Sequence, residues 1–450
     1  MTASRRIAFR VLGQTRRSDT PFQALLDAEF ESSGLLDPRD RNLATHLVTG
    51  VIRHRLKIDW IIGRFSRISI EKIDPDVLDA LRLGVYQLLF LDRVPDQAAI
   101  NESVELLKKN RPKKVVGFVN GILRSVQRNR QSLSYPDPVQ QPVQGLSIIH
   151  SHPPLLVERW IDRYGIQKTE ELLKCNNQPA PRTIRVQTNA LTREELIERL
   201  KEEGASARPT SFSPDGLVIT ETRGPIYQLP SYGEGLWVAQ DEAAQVVSLL
   251  VHVYDGARIL DLCAGRGVKF GHLVQRGSGA ASLTAVEIDA RKAASLSDIT
   301  GKWERDEVQV IHQDAVQFAD SWKGQLFDAV LADVPCSGTG TIRRHPDIKW
   351  KDFEELLPRL VQAQRSILDA AARLVNRNGV ILYVTCSLEA EENDENVDWF
   401  LNHRKDFTLA DLKRSAPSGL LPLIDESGCF RTWPPLHTMD GFFAALLKRG

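Results

Sequence analysis

Apolar residues along the first 130 positions recur at steps of three and four, which is the spacing of one buried face of an α-helix. Two of the most regular runs are Leu78, Leu81, Val85, Leu88 and Leu89, and then Val115, Val119, Ile122, Leu123 and Val126. Proline follows a loop residue at Pro38, Pro75, Pro95 and Pro112, where it commonly starts a helix. This pattern predicts an all-helical domain over residues 1–130.

A change of composition follows the helical region. Residues 131–145, QSLSYPDPVQQPVQG, contain three prolines and almost no charge, which is typical of a linker. Beyond them, HSHPPLLVERWIDRYG predicts a proline-initiated amphipathic helix. The next segment changes from strand to helix period, and Thr192 and Glu195 have the spacing of a capping box. Residues 146–235 are therefore predicted to form a small α+β module.

Strand and helix patterns alternate over residues 236–450. Five apolar runs predict strands at 257–263, 283–289, 308–312, 327–333 and 379–385. Because these runs are apolar on both faces, they favour a parallel sheet covered by helices on either side. The final run GFFAALLKR, residues 441–449, is predicted to add an edge strand. The prediction is a doubly wound α/β domain, which binds ligands beyond the carboxyl ends of its strands.

The composition, 42% hydrophobic and 26% charged residues, is that of an ordinary soluble protein. No apolar run approaches the roughly 18 residues that a spanning helix needs, and the first residues do not resemble a secretory signal. We therefore expect a cytoplasmic protein without a membrane partner. The five cysteines include no CxxC pair, which argues against a disulfide framework or a zinc site. Free thiols and no bound metal are expected.

The net charge of zero hides an asymmetry along the chain. Residues 1–130 contain 23 Lys and Arg against 15 Asp and Glu, whereas the remainder contains 35 against 43. A basic first third on a neutral protein suggests a polyanionic partner for that part. A merely solvated basic surface is the alternative. The basic cluster Arg343, Arg344, His345 and Lys349 is likewise predicted to contact backbone phosphates, and Trp350 either stacks on a base or packs.

Two thiols and a carboxylate follow predicted strands. Asp333 ends the fourth run, Cys336 comes three residues later, and Cys386 follows the fifth run. Such a set suits methylation of cytosine at C5, a carbon too weakly nucleophilic to react unaided. A thiolate that adds to C6 activates C5, an acidic group assists at N3, and a further group helps to release the product. Cys386, Asp333 and Cys336 can fill these roles, and Lys269 can hold a thiolate or a ring substituent by its charge.

A glycine-containing loop follows the first predicted strand of this domain. In DLCAGRGVKF, Gly265 and Gly267 allow a tight turn towards a ligand. Glu287 ends the second strand, where it can accept hydrogen bonds from ribose hydroxyls, and Asp314 follows the third, where it can face an adenine amino group. The spacing of GxGxxG is absent, and so is a Walker loop, which argues against a nicotinamide cofactor and a nucleoside triphosphate.

Several of these segments resemble one known family. DLCAGRGVK, DVPCSGTGTIRRHPDIKW, TCSLEAEEN and DGFFAALLKR are similar to motifs of the RsmB/Fmu/Sun family of RNA cytosine-5 methyltransferases. DQAAINESVELLKK and GFVNGILR resemble the helical RNA-binding domain of NusB. Because that domain and HSHPPLLVERW also occur in the bacterial 16S rRNA enzyme of this family, the resemblance extends over nearly the whole chain.

The resemblance implies a fold, a cofactor and residue roles. It implies a Rossmann-like methyltransferase domain that uses S-adenosylmethionine, preceded by the small α+β module and by a NusB-like RNA-docking domain. It implies that Cys386 is the nucleophile and that Cys336 assists release of the methylated base. The implied cofactor-binding residues are Cys263, Ala264, Gly265, Arg266, Gly267, Val268, Lys269, Glu287, Asp314 and Asp333. The expected partner is 16S ribosomal RNA of the small subunit, and we expect a monomer.

The chain departs from the family pattern in the cofactor loop. The family usually has CAAPGGKT where this chain has CAGRGVKF, and Val334 replaces a usual alanine. One alternative to a 16S rRNA methyltransferase is therefore an RNA-binding ribosome assembly factor with impaired catalysis. A methyltransferase for another RNA is a further possibility. A DNA methyltransferase would use Cys336 as its nucleophile, and the TCS cysteine and the NusB-like segments argue against it.

Overall fold

The computed structural model describes residues 2–18, 20–34, 37–108, 110–277, 281–301 and 307–450. Lys109, the last residue of DQAAINESVELLKK, lies outside these ranges. The chain divides into two compact units, of which the first comprises Met1–Gln178 with His345–Lys351 and the second comprises Pro179–Arg344 with Asp352–Gly450. In the part of the chain described here, no helix is both long and apolar enough to cross a membrane.

The first unit is helical, as predicted. Its helices are α1 (Ala3–Thr15), α2 (Phe22–Ser32), α3 (Pro38–Arg53), α4 (Arg55–Phe65), α5 (Pro75–Phe90), α6 (Asp96–Lys108), α7 (Lys113–Asn129), α8 (Pro142–His150) and α9 (Pro154–Asn176). Asp37 and Asp74 accept backbone N–H bonds at the starts of α3 and α5, which satisfies donors that have no partner within the helix. The first unit continues past the predicted linker, because α8 begins at Pro142 and the unit extends to Gln178.

The second unit begins with a small antiparallel sheet in the strand order β2-β3-β1-β4. Its elements are β1 (Arg182–Val186), α10 (Arg193–Glu202), β2 (Ala205–Pro209), β3 (Gly216–Thr222), α11 (Pro230–Gly233) and β4 (Trp237–Ala239). The predicted capping box is present at α10, since Thr192 Oγ1 accepts from the Glu195 N–H and Glu195 Oε2 accepts from the Thr192 N–H. Ile184, Leu200, Leu217 and Trp237 are buried in the core of this module.

The larger sheet has the strand order β10-β12-β9-β8-β5-β6-β7, with β11 paired to β12. Its elements are α12 (Glu242–Leu249), β5 (Arg258–Asp261), α13 (Val268–Arg276), β6 (Ser282–Glu287), α14 (Ala290–Gly301), β7 (Val308–His312), α15 (Ala315–Ser321), β8 (Phe327–Asp333), α16 (Phe353–Leu374), β9 (Val375–Thr385), α17 (Asp394–His403), β10 (Phe407–Ala410), β11 (Phe430–Arg431), α18 (Pro434–His437) and β12 (Phe443–Arg449). The strands β9, β8, β5, β6 and β7 are parallel. The predicted doubly wound domain is confirmed.

The prediction of an edge strand at residues 441–449 is wrong. β12 lies between β9 and β10 and pairs with both in antiparallel orientation. Phe443 to Leu447 are all buried, which suits an interior strand covered on both faces. The edge strand on this side of the sheet is β10, whose four residues are too few for a recognisable alternation.

The strand order places the candidate residues at one edge of the larger sheet. β5 pairs with β6 on one side and with β8 on the other. The order therefore reverses between β5 and β8, and ligands bind at such a point beyond the carboxyl ends of the strands. The loops after β5, β8 and β9 all begin at this edge.

Candidate active site

The two predicted thiols meet beyond the carboxyl ends of β8 and β9. Cys336 Sγ and Cys386 Sγ are 3.2 Å apart, and the Cys386 backbone N–H lies 3.3 Å from Cys336 Sγ. Because β8 and β9 are adjacent and parallel, their following loops carry these residues to the same place. The hydrogen bond with Cys386, together with burial, raises the pKa of the Cys336 thiol well above its ordinary value. Cys336 therefore keeps its proton at neutral pH.

Lys269 and Asp333 form an ion pair beside the thiols. Lys269 Nζ lies 2.6 Å from Asp333 Oδ2 and 5.1 Å from the centre of the Phe442 ring. Burial lowers the pKa of Lys269, but Asp333 and then Cys386 raise it, and the net result lies above the ordinary value. Lys269 is therefore a fixed positive charge whose field includes the Cys386 sulfur.

The glycine loop between β5 and α13 has the tight turn that its sequence predicts. Gly265 and Gly267 have φ angles of 58° and 76°, a region that disfavours residues with a side chain. A Cβ at Gly267 would lie 2.2 Å from Leu296 Cδ1, whereas a Cβ at Gly265 would meet no atom within 4 Å. There is therefore open space beside Gly265, whereas Gly267 packs closely against Leu296.

Acidic groups surround the end of β5. Burial raises the pKa of the Cys263 thiol well above its ordinary value, and the nearby carboxylates of Asp261, Asp333, Glu287 and Asp314 raise it further. Burial, followed by the charge of Asp333, raises the pKa of Asp261 to about 7. The predicted carboxylates therefore converge on one region, with Lys269 as the opposing charge.

These residues fit a nucleoside that carries a sulfonium and an amino group. Glu287 Oε2 accepts from the Gly265 N–H and Oε1 accepts from the Asp289 N–H. Each oxygen keeps a second lone pair for a ribose hydroxyl. Asp314 Oδ1 caps α15. The open space at Gly265 and the surrounding negative charge suit a cationic ligand.

A buried network that sequence reasoning missed holds the thiol-bearing loops. Glu392 is fully buried, and its carboxylate accepts from the Ser337 backbone N–H at 2.8 Å, from the Ser337 hydroxyl and from the Gln364 amide. Ser337 and Ser387 also share a hydrogen bond at 3.0 Å. These residues adjoin Cys336 and Cys386 in the chain, so the network fixes both thiols. The acidic run EAEEN gave no sign that two of its glutamates, Glu389 and Glu392, are buried, because such runs are usually solvated.

The predicted phosphate-binding cluster Arg343, Arg344, His345 and Lys349 is mostly wrong. Arg344 is held by the carboxylates of Asp241 and Asp440. Lys349, in the first unit, is 1% exposed and donates to the Arg53 and Ser151 carbonyls. Trp350 packs in the same unit and donates to the Ile52 carbonyl. These three side chains bind partners inside the protein and are not available to phosphates. The prediction was wrong because local sequence does not show burial.

No group of three or more His, Cys, Asp or Glu side chains arranged to hold a metal ion is found within the described ranges. All five cysteines are free thiols.

Comparison with known proteins gives the family. Residues 248–448 match the family described as 16S rRNA methyltransferase RsmB/F, residues 2–128 match the NusB family, and residues 152–225 match the ferredoxin-like domain of RsmF/B-like methyltransferases. The ribosomal RNA small subunit methyltransferase B of Pseudomonas putida is 31% identical over 98% of this chain and 97% of its own length. The protein of the same name from Escherichia coli O6:K15:H31 is 31% identical over 91% of each chain.

Solved structures share the fold. The crystal structure of PH0851 superposes with a TM-score of 0.82 and 26% identity, and it covers 100% of this chain and 99% of that one. NSun6 from Pyrococcus horikoshii, solved with SFG, has a TM-score of 0.58 and 19% identity and covers 66% of this chain and 98% of its own. The domain order is thus NusB-like, ferredoxin-like and Rossmann-like methyltransferase. The chain belongs to the RsmB/F family of S-adenosylmethionine-dependent ribosomal RNA methyltransferases.

Proposed function

We propose that this protein methylates C5 of a specific cytosine in 16S ribosomal RNA through a covalent bond between Cys386 and C6 of the base. The observation that carries the proposal is the contact of Cys336 with Cys386, 3.2 Å between sulfurs, beside the Lys269–Asp333 ion pair. Two thiols, a carboxylate and a cation at one sheet edge are the groups that this chemistry requires. The names of the full-length relatives support small-subunit ribosomal RNA as the substrate.

Cys386 attacks C6 as a thiolate. Its neighbour Cys336 keeps its proton, because hydrogen bonding to Cys386 and burial raise its pKa. Cys336 can therefore donate a hydrogen bond to the Cys386 sulfur. The ammonium of Lys269 stabilises the same negative charge by attraction. This environment favours Cys386 as the nucleophile over Cys336.

The remaining groups act on the ring and on release. We place Asp333 at the N3 side of the base, where a proton shared with Lys269 stabilises the negative charge that addition at C6 creates. Bound S-adenosylmethionine supplies an electrophilic methyl group, which C5 accepts. Loss of the C5 proton to water then lets the C5–H electron pair form the C5–C6 double bond and expel the Cys386 sulfur as a thiolate. Cys336 assists this release, because its thiol is in contact with that sulfur and can donate a hydrogen bond to it.

The glycine loop and its carboxylates form the proposed cofactor site. Gly265 lets the ligand approach the backbone, and Glu287 accepts hydrogen bonds from the ribose hydroxyls. Asp314 faces the adenine ring from the start of α15. The backbone of Cys263 to Val268 and the side chain of Lys269 complete the site. Arg266 and Val268 replace residues usual in the family, and Gly267 keeps the turn that packs against Leu296.

The test is bisulfite mapping of 16S ribosomal RNA with and without the protein, followed by substitution of each thiol. Cys386→Ala should abolish methylation, because the neighbouring thiol of Cys336 keeps its proton and a protonated thiol is a poor nucleophile. Cys336→Ala should leave a covalent protein–RNA adduct that migrates as one species in a denaturing gel. Cys175→Ala, which removes a thiol of the other compact unit, should do neither.

Four outcomes would contradict parts of the proposal. Methylation that survives Cys386→Ala would show that Cys386 is not the nucleophile. An adduct with Cys386→Ala but none with Cys336→Ala would reverse the two roles. Binding of 16S ribosomal RNA without any new 5-methylcytosine would favour the assembly factor with impaired catalysis. A modified cytosine outside 16S ribosomal RNA would favour another RNA as substrate.

A further inference from the structure

A polar cavity of about 200 Å³ opens in the second unit, apart from the thiols and the glycine loop. Its lining includes Thr183, Arg208, Thr210, Ser211, Arg343 and Thr438. These residues come from the small sheet, from the loop that follows Cys336, and from the segment before β12. The cavity therefore has walls from both domains of this unit.

The lining has two guanidinium groups and four hydroxyls, of which those of Thr210 and Thr438 already donate to the Ser213 and His437 carbonyls. A guanidinium has five N–H donors, and pairs of such groups recognise phosphate oxygens well. Arg208 is exposed on β2, and its Nη1 makes one long contact with the Pro209 carbonyl at 3.4 Å. Arg343 is half-buried and is positioned by donation from Nε to the Pro179 carbonyl at 3.0 Å. Each guanidinium thus donates to a backbone carbonyl beside the cavity.

The carboxylate in the lining is already engaged by the protein. Glu242 accepts from the backbone N–H groups of Phe212 and Ser213, so its charge is directed at that loop. Asp241, its neighbour in the chain, is paired with Arg344. The lining residues thus include two guanidinium groups and one carboxylate, whose charge two N–H donors already stabilise. This balance of charge favours an anionic ligand.

The cavity is close to the reactive thiol along the backbone. The Gly340 N–H donates to the Cys386 carbonyl at 3.0 Å, and the Gly441 N–H donates to the Gly340 carbonyl at 2.8 Å. Arg343 is three residues after Gly340, and three residues of chain span at most about 11 Å. Thr438 is likewise three residues before Gly441. An anion held at Arg343 therefore lies within a few nucleotide lengths of a base at Cys386.

We propose that this cavity binds a backbone phosphate of the RNA strand that carries the target cytosine. This inference rests on the proposed function, since it names a second contact of the same substrate. A phosphate held at Arg208 and Arg343 fixes the strand next to the reacting nucleotide. It contributes affinity and register and takes no part in bond formation.

The test measures binding of 16S ribosomal RNA, transcribed in vitro, to the full-length protein over a range of salt concentrations. Arg208→Gln and Arg343→Gln should each weaken binding about tenfold at low salt. Each should also reduce the slope of log affinity against log salt by about 0.7, the value for one phosphate contact on a single strand. Arg223→Gln removes an equal charge from an exposed position of the same module outside the cavity and should leave both quantities near wild type.

A second measurement identifies the ligand as a phosphate. Short RNAs that span the methylated cytosine are made with one neutral methylphosphonate at successive positions. At one position the methylphosphonate should weaken binding to the wild type. The same methylphosphonate should not weaken binding to Arg208→Gln further, because that variant has already lost the contact. Slopes equal to that of Arg223→Gln, or methylphosphonate losses that are identical in all variants, would overturn the phosphate site. A changed choice of cytosine with an unchanged slope would also overturn it, because the cavity would then read a base.

Failure of this inference is distinct from failure of the proposed function. The salt slope on 16S ribosomal RNA requires binding and no methyl transfer. Loss of methylation in Cys386→Ala with an unchanged slope, together with a reduced slope in Arg208→Gln, would support both. If the protein forms no 5-methylcytosine but Arg208→Gln still reduces the salt slope, the phosphate site is supported and the proposed methylation is refuted.

Discussion

Arg344 shows how one residue supports the thiol-bearing loop without touching the thiols. Its Nε donates to Asp440 at 2.8 Å, another nitrogen pairs with Asp241, and Nη1 donates to the Pro181 carbonyl at 3.0 Å. Burial, followed by the charge of Asp241, raises the pKa of Asp440 to about 7, although Arg344 and Arg343 oppose the rise. The charge state of this cluster therefore changes near neutral pH.

Asp440 makes stability depend on pH in a defined direction. An unfolded aspartate releases its proton near pH 4, whereas folded Asp440 keeps its proton up to about pH 7. Between these values the folded state binds the extra proton, so this group makes the free energy of unfolding fall as pH rises, by at most about 1.4 kcal/mol per pH unit. Asp440→Asn should flatten that fall in urea denaturation at several pH values.

The control for Asp440→Asn is Asp398→Asn, which changes an exposed carboxylate on α17. It should keep the wild-type pH dependence. An equal slope in wild type and Asp440→Asn between pH 4 and pH 7 would show that Asp440 is ionised throughout this range in the folded protein.

At Gly340 and Gly441, the backbones of segments next to the thiols are in direct contact. A Cβ at Gly340 would lie 2.0 Å from the Gly441 carbonyl oxygen and 2.9 Å from the Cys386 carbonyl oxygen. Backbone atoms cannot move away as the end of a long side chain can. The contact between the loop after β8, the loop after β9 and the segment before β12 therefore requires glycine at position 340.

Gly340→Ala should separate these elements. We expect a loss of about 1–3 kcal/mol in the free energy of unfolding, the usual cost of overpacking, and a fall of at least about tenfold in the methylation rate, because the Cys386 carbonyl is displaced. Gly419→Ala is the control, since a Cβ there meets nothing within 4 Å. Urea denaturation and single-turnover methylation measure both effects. Wild-type rates in Gly340→Ala would show that the loops adapt to the added methyl group.

The elements differ in how much of them the sequence predicts. β7 and β8 have the predicted bounds, because each is an apolar run with a clear polar end. The predicted edge position of β12 is wrong, since periodicity shows that a strand is buried but does not show which strands it pairs with. Gly265 and Gly267 were predicted from residue type, because a positive φ has a strong preference for glycine.

Side-chain partners from distant parts of the chain could not be predicted in the same way. Glu392 and Lys349 are both buried, and each contacts a residue 28 or more positions away in the chain. The charge of a residue predicts exposure only when no partner is available inside. The thiols were an exception, because two adjacent parallel strands bring their carboxyl ends together whatever the side chains are.

At the scale of the whole molecule, the charge asymmetry predicts which domain binds RNA by electrostatic attraction. The helix α7 carries Lys113, Lys114 and Arg128 as exposed side chains, with Arg124 half-buried on the same helix. Its other face buries Val119, Ile122, Leu123 and Val126 in the core of the first unit. Replacement of these four cations should therefore leave the fold intact, which deletion of the whole domain would not, because Lys349 and Trp350 belong to the same unit.

A variant with Lys113, Lys114, Arg124 and Arg128 all changed to Gln should bind 16S ribosomal RNA more weakly and with less salt dependence. If each cation neutralises one phosphate, the slope of log affinity against log salt should fall by about 0.7 to 0.9 per cation, depending on whether the RNA is single-stranded or paired. The matched control changes Arg377, Lys405, Lys413 and Arg414 of the second unit to Gln. An equal loss in both variants would indicate attraction by total charge, and an unchanged slope in the α7 variant would remove this helix from the RNA-binding surface.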